Sequence, residues 1–470
     1  MNNNWLITAA LTCCLLPREI QAQALDFPTF RQMVLDQHPI ARQADLYGSQ
    51  AKASLLRAKG GFDPKAFASH NGKNFNGKTY FQYSEAGLSV PTWAGLEIKT
   101  AYRLASGIFL NSESKLPQDG QANLGFVWSL GQGLLFDERR AGLQWAQYGL
   151  EMGEAERLML RNDLMLEAAK AYWNWNYSDN ALQIIDAARR QAEIRHEGMR
   201  QSFQQGERSA FDTLATFIQV QNRLVDWQFA QVDARNASLE LCRFLWENNQ
   251  AKSPENLPVA PSLAISDAGL SLPFDTANLL QTALQRHPEM RQYQIKLRQL
   301  DVERRLKNEK RKPVLDVSYY LLGNAWQFFP TASINGPEML ANDIKWGLDF
   351  SYPLFNRKAR GDWQLTRLKQ AQTDLELTQK RQSIRAKVQQ YANDLANYST
   401  QATLFRDMAA NYQRLLEGEN DKFAAGESSI FLINTREQRW LDAQLKYLKL
   451  LAELRKTEAA LFWAAGIVEE

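Results

Sequence analysis

Residue types that commonly perform chemistry are sparse in this chain of 470 residues. Its four histidines are scattered, and two of them stand directly before a proline: His38, His70, His196 and His287. The sequence has no HExxH pattern, no cluster of Cys and His and no glycine loop of the Walker type. Acidic residues follow helical stretches at the spacing of a solvated face, as in Glu151, Glu154 and Glu156. We therefore expect a protein that is not an enzyme and that holds no cofactor or metal.

A run of aromatic residues is the strongest candidate for a ligand surface. It comprises Tyr172, Trp173, Trp175 and Tyr177. Aromatic residues at this spacing more often fill contacts between helices, so we expect packing here rather than a binding site. His196 is likewise expected on a polar helix face.

The composition favours long helices and gives no sign of a nucleic-acid partner. Hydrophobic residues make up 45% of the chain, with only 15 Pro and 25 Gly, and runs of Gln, Arg, Leu and Ala are long. The 55 basic and 52 acidic residues nearly balance and are interspersed. This distribution lacks the basic patch that nucleic-acid binding requires.

The N-terminus has the pattern of an export signal. An apolar run over residues 5–16 is followed at residues 22–24 by Ala-Gln-Ala, the form of a signal-peptidase site. We predict a signal peptide over residues 1–24 that is cleaved after Ala24. Of the three Cys only Cys242 then remains, so the mature chain has no internal disulfide.

The chain is duplicated, and its two halves are most alike in one nine-residue segment. Residues 203–211 recur 220 positions later as residues 423–431, with five identical positions. The identical pairs are Phe203 and Phe423, Gly206 and Gly426, Glu207 and Glu427, Ser209 and Ser429, and Phe211 and Phe431. In each copy the Gly can end one helix in the left-handed conformation and the Ser can cap the next. Both segments are therefore predicted to be tips of helical hairpins.

Other landmarks repeat in the same order. A His-Pro dipeptide, which breaks a helix, occurs at residues 38–39 and 287–288, and the next landmark occurs at Pro64 and Pro313. Such an internal repeat must organise the fold. We divide the chain into a first structural repeat over 25–250, a Pro-rich connector over 251–273 and a second repeat over 274–470.

Each half is predicted to contain a very long helical hairpin. The outgoing helices cover about 138–203 and 357–423, and the returning helices cover about 211–247 and 431–465. Asp137 and Asn356 are suitable N-caps for the outgoing helices. In the second half apolar residues follow spacings of three and four, a narrow seam suited to coiled-coil packing. The seam consists of Ile384, Val388, Tyr391, Leu395, Tyr398, Ala402 and Phe405.

Ahead of each long hairpin the hydrophobic period changes to two, which predicts β-strands. The alternating runs lie near residues 96–104, 124–130, 315–321 and 344–352, and each has one apolar, aromatic-rich face. A soluble sheet gives the same alternation, but the surrounding helices are polar and no second sheet is evident, so lipid is the expected partner. Because four strands cannot close a barrel and open edges are not tolerated in lipid, several chains must share one wall. Residues 65–90 add a further predicted hairpin, and the pattern leaves its place relative to the barrel open.

The doubled order of these landmarks resembles the TolC-type outer-membrane efflux proteins from about Phe27 to Ile467. The resemblance rests on the broken helix, the Pro-started strand, the step from strand to helix at Phe136 and Phe355, the long helix and the Gly-containing tip. It implies a mixed α and β fold: four antiparallel transmembrane strands per chain in a shared trimeric barrel of twelve strands, and long antiparallel coiled-coil helices that form a periplasmic α-barrel.

The same resemblance implies a passive exit duct of a tripartite efflux or type I secretion system. Its location would be the outer membrane, in contact with lipid, with the helical part in the periplasm. The partners would be a periplasmic adaptor protein and an inner-membrane pump, docked at the ten identical tip residues named above. The alternative is a periplasmic coiled-coil scaffold or adaptor without a barrel.

Similar proteins close the periplasmic mouth with a network of Tyr, Asp and Arg, which this sequence matches only in part. Asp212 stands at the Asp position, but Phe423 replaces the Tyr and Ser428 replaces the Arg. Leu432 and Thr435 occupy the places of carboxylates that line the mouth in similar proteins.

A gate in this chain must therefore rest on different contacts. We expect Asp212 and Arg208 at the aperture. The hypothesis from the sequence is that Glu207, Arg208 and Glu427 supply the contacts that close it.

Overall fold

Each half of the chain begins with a helix that the His-Pro dipeptide breaks, as predicted. The protein is described here from a computed structural model, in which residues 24–263, 275–326 and 343–467 are defined. The helices are α1 (Phe27–Gln37), α2 (Pro39–Lys59), α3 (Glu138–Gln204), α4 (Ala210–Cys242), α5 (Thr276–Arg286), α6 (Pro288–Glu309), α7 (Arg357–Ala424) and α8 (Ile430–Ala465). Short 3-10 turns cover Gly60–Phe62, Ser112–Ser114 and Pro254–Asn256. The predicted signal peptide lies outside the described residues except for Ala24, and so does the 264–273 part of the connector.

The two His-Pro breaks share a backbone and differ in their contacts. His38 Nε2 lies 3.3 Å from the backbone oxygen of Arg243, and the His38 ring stacks on Phe244. His287 caps α6, because its Nδ1 accepts from the backbone N–H of Glu289 at 3.2 Å. Burial is the main cause that lowers the pKa of His38 and of His287 below the ordinary value, so both rings favour the neutral form.

The long helices match the prediction to within a few residues. α3 has 67 residues and α7 has 68, so each is roughly 100 Å long at 1.5 Å per residue. None of the described helices combines the length and the hydropathy needed to cross a bilayer. The predicted seam of α7 is confirmed by its burial, since Ile384, Val388, Leu395 and Ala402 are each at most 4% exposed.

The two predicted N-caps behave differently. Asp137 caps α3, because its Oδ1 accepts from the backbone N–H of Arg140 at 2.9 Å. The prediction that Asn356 caps α7 is wrong. Asn356 has a positive φ of 44°, and its Nδ2 donates to the backbone oxygen of Arg311 at 2.8 Å. The amide is thus used to close the strand-to-helix corner instead of the helix end.

The strands form one large antiparallel sheet and one small ladder. They are β1 (Lys65–Phe75), β2 (Lys78–Pro91), β3 (Leu96–Ser106), β4 (Gln121–Ser129), β5 (Trp246–Glu247), β6 (Gln250–Ala251), β7 (Val314–Asn324) and β8 (Ile344–Ser351). The large sheet has the order β1-β2-β3-β4-β7-β8, and β5 pairs with β6.

Across the described residues the large sheet has six strands, where four per chain were expected. The two additional strands, β1 and β2, are residues that the sequence pattern left unplaced. Small residues such as Ala66, Ala68 and Ala86 interrupt their apolar alternation, and this weakens the signal on which a strand prediction depends. The predicted extra hairpin exists, and it is hydrogen-bonded into the sheet.

The register of the sheet places the apolar residues on one face. Ile98 lies opposite Phe126, Phe126 opposite Tyr319 and Tyr319 opposite Trp346, so one apolar row crosses four strands. This face is exposed on the single chain, and Trp346 is 70% exposed. Polar residues occupy the other face, as predicted.

The chain forms two compact units, each with segments from both repeats. The tip unit contains the described residues of Met1–Pro39, Met165–Pro273 and Asn393–Ala459. The sheet unit contains those of Ile40–Leu164, Phe274–Ala392 and Ala460–Glu470. The division into two repeats describes the order along the chain, and as a division into domains it stays a prediction.

The aromatic run of α3 packs inside the tip unit, as expected. Tyr172 is 1% exposed, and its hydroxyl donates to the backbone oxygen of Leu25 at 2.7 Å. The Tyr172 ring stacks on Phe30 with 5.0 Å between the ring centroids. Burial raises the pKa of the Tyr172 hydroxyl far above its ordinary value, so it remains a hydrogen-bond donor. This cluster is a core contact rather than a ligand surface.

Candidate functional site

The two predicted tips have the same backbone conformation. Gly206 and Gly426 have positive φ values of 78° and 81°, the left-handed region that ends a helix at Gly. The amide of Gly206 donates to the oxygen of Phe203 at 2.9 Å, and the amide of Gly426 donates to that of Phe423 at 3.0 Å. The nine-residue repeat therefore encodes one turn twice.

A serine starts the returning helix at each tip, also as predicted. Ser209 Oγ accepts from the backbone N–H of Asp212 at 3.2 Å, and Ser429 Oγ accepts from that of Leu432 at 3.4 Å. Each Ser satisfies a helix N–H that would otherwise lack an intrahelical partner. The tips are thus short turns with fixed ends.

Most of the predicted docking residues lie on the surface of the tip unit. Phe211 is 78% exposed and Phe431 is 71% exposed, and Glu207 and Glu427 are exposed beside the turns. Their exposure is what the predicted docking role requires, and the docking role itself stays a prediction. Phe423 differs from these residues because it packs against a buried cluster of Met199, Ile430 and Ile433.

The aperture candidates make local contacts. The Oδ2 atom of Asp212 accepts from the hydroxyl of Ser209 at 2.8 Å. The guanidinium of Arg208 lies 4.6 Å from the ring centroid of Phe423, so a cation–π contact joins the first tip to the second. The gate formed by Glu207, Arg208 and Glu427 stays a prediction.

Two sets of contacts near the tips were not predicted from the sequence. Arg195 Nη1 donates to Glu437 Oε2 at 2.7 Å, and Glu437 is only 3% exposed. Glu419 accepts a short hydrogen bond from Ser428 Oγ and lies 3.5 Å from Arg436 Nε. The Ser428 bond, followed by the nearby Arg436 charge, lowers the pKa of Glu419. The partners are 9 to 242 residues apart, so no local pattern could have indicated these contacts.

A buried arginine lies further along α4, in a cavity of about 250 Å³. Arg223 is 1% exposed and donates from Nη1 to Asp226 Oδ2 at 3.2 Å. Within the described part of the chain its Nε and Nη2 have no hydrogen-bond partner. Asp233 and Asp442 also line the cavity, which is polar and large enough to hold water.

The polar face of the sheet carries ordered charge pairs. Arg103 Nε donates to Glu85 Oε1 at 2.8 Å, across the pairing of β2 with β3. Next along the same strands, Lys99 lies 3.5 Å from Glu97, which also accepts a short hydrogen bond from Ser89. A sheet with an apolar exposed face and a charged opposite face fits a wall between lipid and water.

Comparison with known proteins gives the same result for family and fold. Residues 279–466 match the family model described as Outer membrane efflux protein. This match lies in the second repeat and covers less than half of the chain. The predicted resemblance to the TolC type is therefore confirmed as a resemblance, and the match supports the predicted transport function and outer-membrane location.

Solved outer-membrane channels share the fold of this chain at low sequence identity. MtrE from Neisseria gonorrhoeae is 14% identical with a TM-score of 0.66, and the match covers 93% of this chain and 88% of MtrE. CmeC from Campylobacter jejuni is 12% identical with a TM-score of 0.64, covering 93% and 85%. VceC from Vibrio cholerae is 12% identical with a TM-score of 0.65, covering 93% and 95%. No curated protein matches the chain in sequence.

Proposed function

We propose that three copies of this chain form a passive exit duct for efflux, which receives cargo from an inner-membrane pump through a periplasmic adaptor. The strands of the three copies share one wall in the outer membrane. The hairpin tips dock on the adaptor. Energy for transport comes from the pump, because the duct itself only has to hold a path open.

The exposed apolar face of the large sheet, bounded by two open edges, carries this proposal. On a single chain Trp346, Leu348 and Phe350 are each at least 59% exposed, which water would disfavour. Lipid can cover the face, but it cannot pair the backbone N–H and C=O groups of the edge strands β1 and β8. Closing the sheet against further copies satisfies both demands.

A stripe on α4 in the tip unit supports contact between copies. Four of its apolar residues recur at every seventh position, and each is at least 47% exposed: Ile218, Val225, Val232 and Leu239. A repeat of seven is the signature of a helix that packs along another helix in a coiled coil. A neighbouring copy supplies such a helix with the same register.

The tips carry exposed aromatic and acidic side chains that an adaptor can bind. Phe211 and Phe431 lie exposed near Glu207 and Glu427, so the matching partner surface has an apolar pocket flanked by Lys or Arg. Electrostatic attraction of this kind fixes orientation, while the buried rings supply most of the affinity.

Two measurements on the full chain test the proposal. Purified protein in a planar lipid bilayer is expected to give discrete conductance steps, and the proposal is wrong if no conductance appears at any protein concentration. The variant Phe211→Ser/Phe431→Ser is expected to keep that conductance and to lose efflux in cells. The matched variant Leu46→Ser, which replaces an exposed leucine on α2, is expected to keep both.

A further inference from the structure

We infer that the hairpin of β1 and β2 is part of the membrane wall, and that each copy closes on the next by pairing its β1 with the neighbour's β8. This inference rests on the proposed trimer. Three copies with six strands each give a wall of eighteen strands, where the resemblance implied twelve.

The hairpin is joined to the sheet along its full height. β1 pairs with β2 through eleven residue pairs, and β2 pairs with β3 through ten without a shift of register. With 11 and 14 residues, β1 and β2 are as long as the strands of the apolar row and are long enough to span a bilayer. A flap outside the wall would not need this continuous ladder.

Both faces of the sheet continue into the hairpin. On the apolar face Leu88 lies opposite Thr100 and Val90 opposite Ile98, which belongs to the apolar row. On the polar face the Glu85–Arg103 pair crosses from β2 to β3. The side of the hairpin that meets lipid and the side that meets water are therefore those of the remaining strands.

The lipid side of β1 has small residues and one satisfied polar group. Ala66 and Ala68 lie on this side, opposite Leu88 and Ala86. His70 Nδ1 lies 2.8 Å from Ser84 Oγ, so these two polar side chains satisfy each other within the hairpin. This arrangement avoids an unpaired polar group in the wall.

Aromatic rings at the turn end of the hairpin form part of an interfacial belt. The ring centroids of Phe75 and Tyr80 are 6.0 Å apart, and those of Tyr80 and Phe109 are 4.7 Å apart. Tyr102 and Trp326 add a stacked pair on β3 and after β7. Belts of this kind mark the membrane–water boundary in transmembrane barrels. The hairpin therefore reaches the boundary together with the other strands.

The occupant of the open edge is a second copy of this chain. Among the described residues β1 pairs only with β2 and β8 pairs only with β7, and every residue of β1 is exposed. Strand directions alternate along the sheet, so with six strands β1 and β8 run in opposite directions. A neighbour's β8 can thus extend the antiparallel ladder beyond β1, and the wall closes without an edge.

Cysteine cross-linking in outer membranes tests the pairing. In the Cys242→Ser background, Ser69→Cys in β1 is combined in turn with Lys345→Cys, Gly347→Cys, Asp349→Cys and Ser351→Cys in β8. All these positions lie on the polar face, and pairing brings at least one of the four within disulfide distance. The matched series replaces Ser69→Cys by Lys99→Cys in β3. Each single-cysteine variant controls for folding and for random collision.

We expect oxidant-dependent ladders of covalent dimers and trimers for at least one β1 and β8 pair and none for the β3 series. Cross-links from β3 to β8 alone would overturn the inference, because the wall would then close without the hairpin, while the proposed function would stand. Membrane-embedded protein that yields no β1 to β8 cross-link in any of the four pairs overturns it as well. Protein that leaves the membrane in carbonate would instead contradict the proposed function.

Discussion

The two halves of the chain follow one backbone plan and fill it with different contacts. Trp246 and Gly466 stand 220 positions apart, the offset that also relates the two tips. In the first half the Trp246 indole lies edge-on against the ring of His38, with 6.0 Å between centroids. In the second half Gly466 leaves no side chain, and the backbone itself packs on His287 and Pro288. The His-Pro dipeptide therefore determines where each helix is broken, whereas the residues that pack on the break differ between the two halves.

The strands show the same contrast on a larger scale. Within residues 24–263, 275–326 and 343–467 the first half contributes β1, β2, β3 and β4 to the large sheet, and the second half contributes β7 and β8. The β1–β2 hairpin therefore has no counterpart among the described residues of the second half. The two halves thus share an arrangement of helices while they contribute different numbers of strands to the sheet.

The largest effect is expected at the glycine that covers the second His-Pro break. Gly466 has a φ of 70°, and an added Cβ would lie 2.7 Å from Pro288 Cδ and 3.0 Å from His287 Cα. Gly466→Ala should therefore destabilise the protein by about 2–4 kcal/mol, from backbone strain and overpacking together. Unfolding in detergent followed by tryptophan fluorescence measures this change.

Gly361→Ala provides the control for that substitution. Nothing lies within 4 Å of a Cβ at Gly361, which is inside α7. The alanine is expected to raise stability by about 0.5–1 kcal/mol. Equal losses for the two variants would contradict the role given to the His-Pro cover.

The ion pair of Arg195 with Glu437 joins the two helical hairpins of the tip unit. Arg195→Met should cost about 2–3 kcal/mol, because it leaves the buried carboxylate of Glu437 unpaired. Arg195→Met/Glu437→Leu should recover most of that loss. At the positions 220 residues away stand Leu415 and Phe217, so the charged pair is not repeated there. A double variant as unstable as the single variant would show that the pair does not act as a unit.

The two repeated phenylalanines before the tip glycines should respond unequally. Phe423→Ala removes packing on Met199, Ile430 and Ile433 and the contact with Arg208, with an expected loss of about 2 kcal/mol. Phe203 is 44% exposed, and Phe203→Ala should cost less than about 1 kcal/mol. Thermal melting of the two variants side by side checks the order, and a larger loss for Phe203→Ala would reverse the comparison.

The smallest expected effect is a dependence of stability on pH. Both His38 and His287 have a pKa lowered by burial, so the unfolded chain binds protons near the ordinary value of about 6.5 while the folded chain does not. Stability is therefore full well above that value, falls as the pH drops below it, and levels off once the pH is below the lower folded pKa values. Thermal melts of wild type, His38→Gln and His287→Gln between pH 7.5 and 5.5 measure it. Each substitution should flatten the dependence, and unchanged slopes would exclude these residues as the cause.

The sequence predicted the features that depend on short patterns. The ends of helices were predicted from the His-Pro dipeptides, Gly206 and Ser209, because these residues restrict the backbone within a few positions. The strands of the apolar row came from a strict alternation. β1 and β2 were harder to place because Ala66, Ala68 and Ala86 weaken that alternation.

Contacts between distant segments could not be predicted in the same way. Arg195 and Glu437 are 242 residues apart, and only the fold brings them together. Asn356 is a residue type that often caps helices. Its side-chain amide instead donates to the backbone oxygen of Arg311 at the corner between strand and helix. The exposed rings of the tips were predicted because the repeat itself pointed to them.

Membrane extraction of the full chain tests most directly whether the apolar face of the sheet meets lipid in a wall shared by several copies. We expect the protein to stay in the outer-membrane fraction through a carbonate wash and to enter detergent as a complex with the mass of three chains. Release by carbonate as a single water-soluble chain would contradict the account.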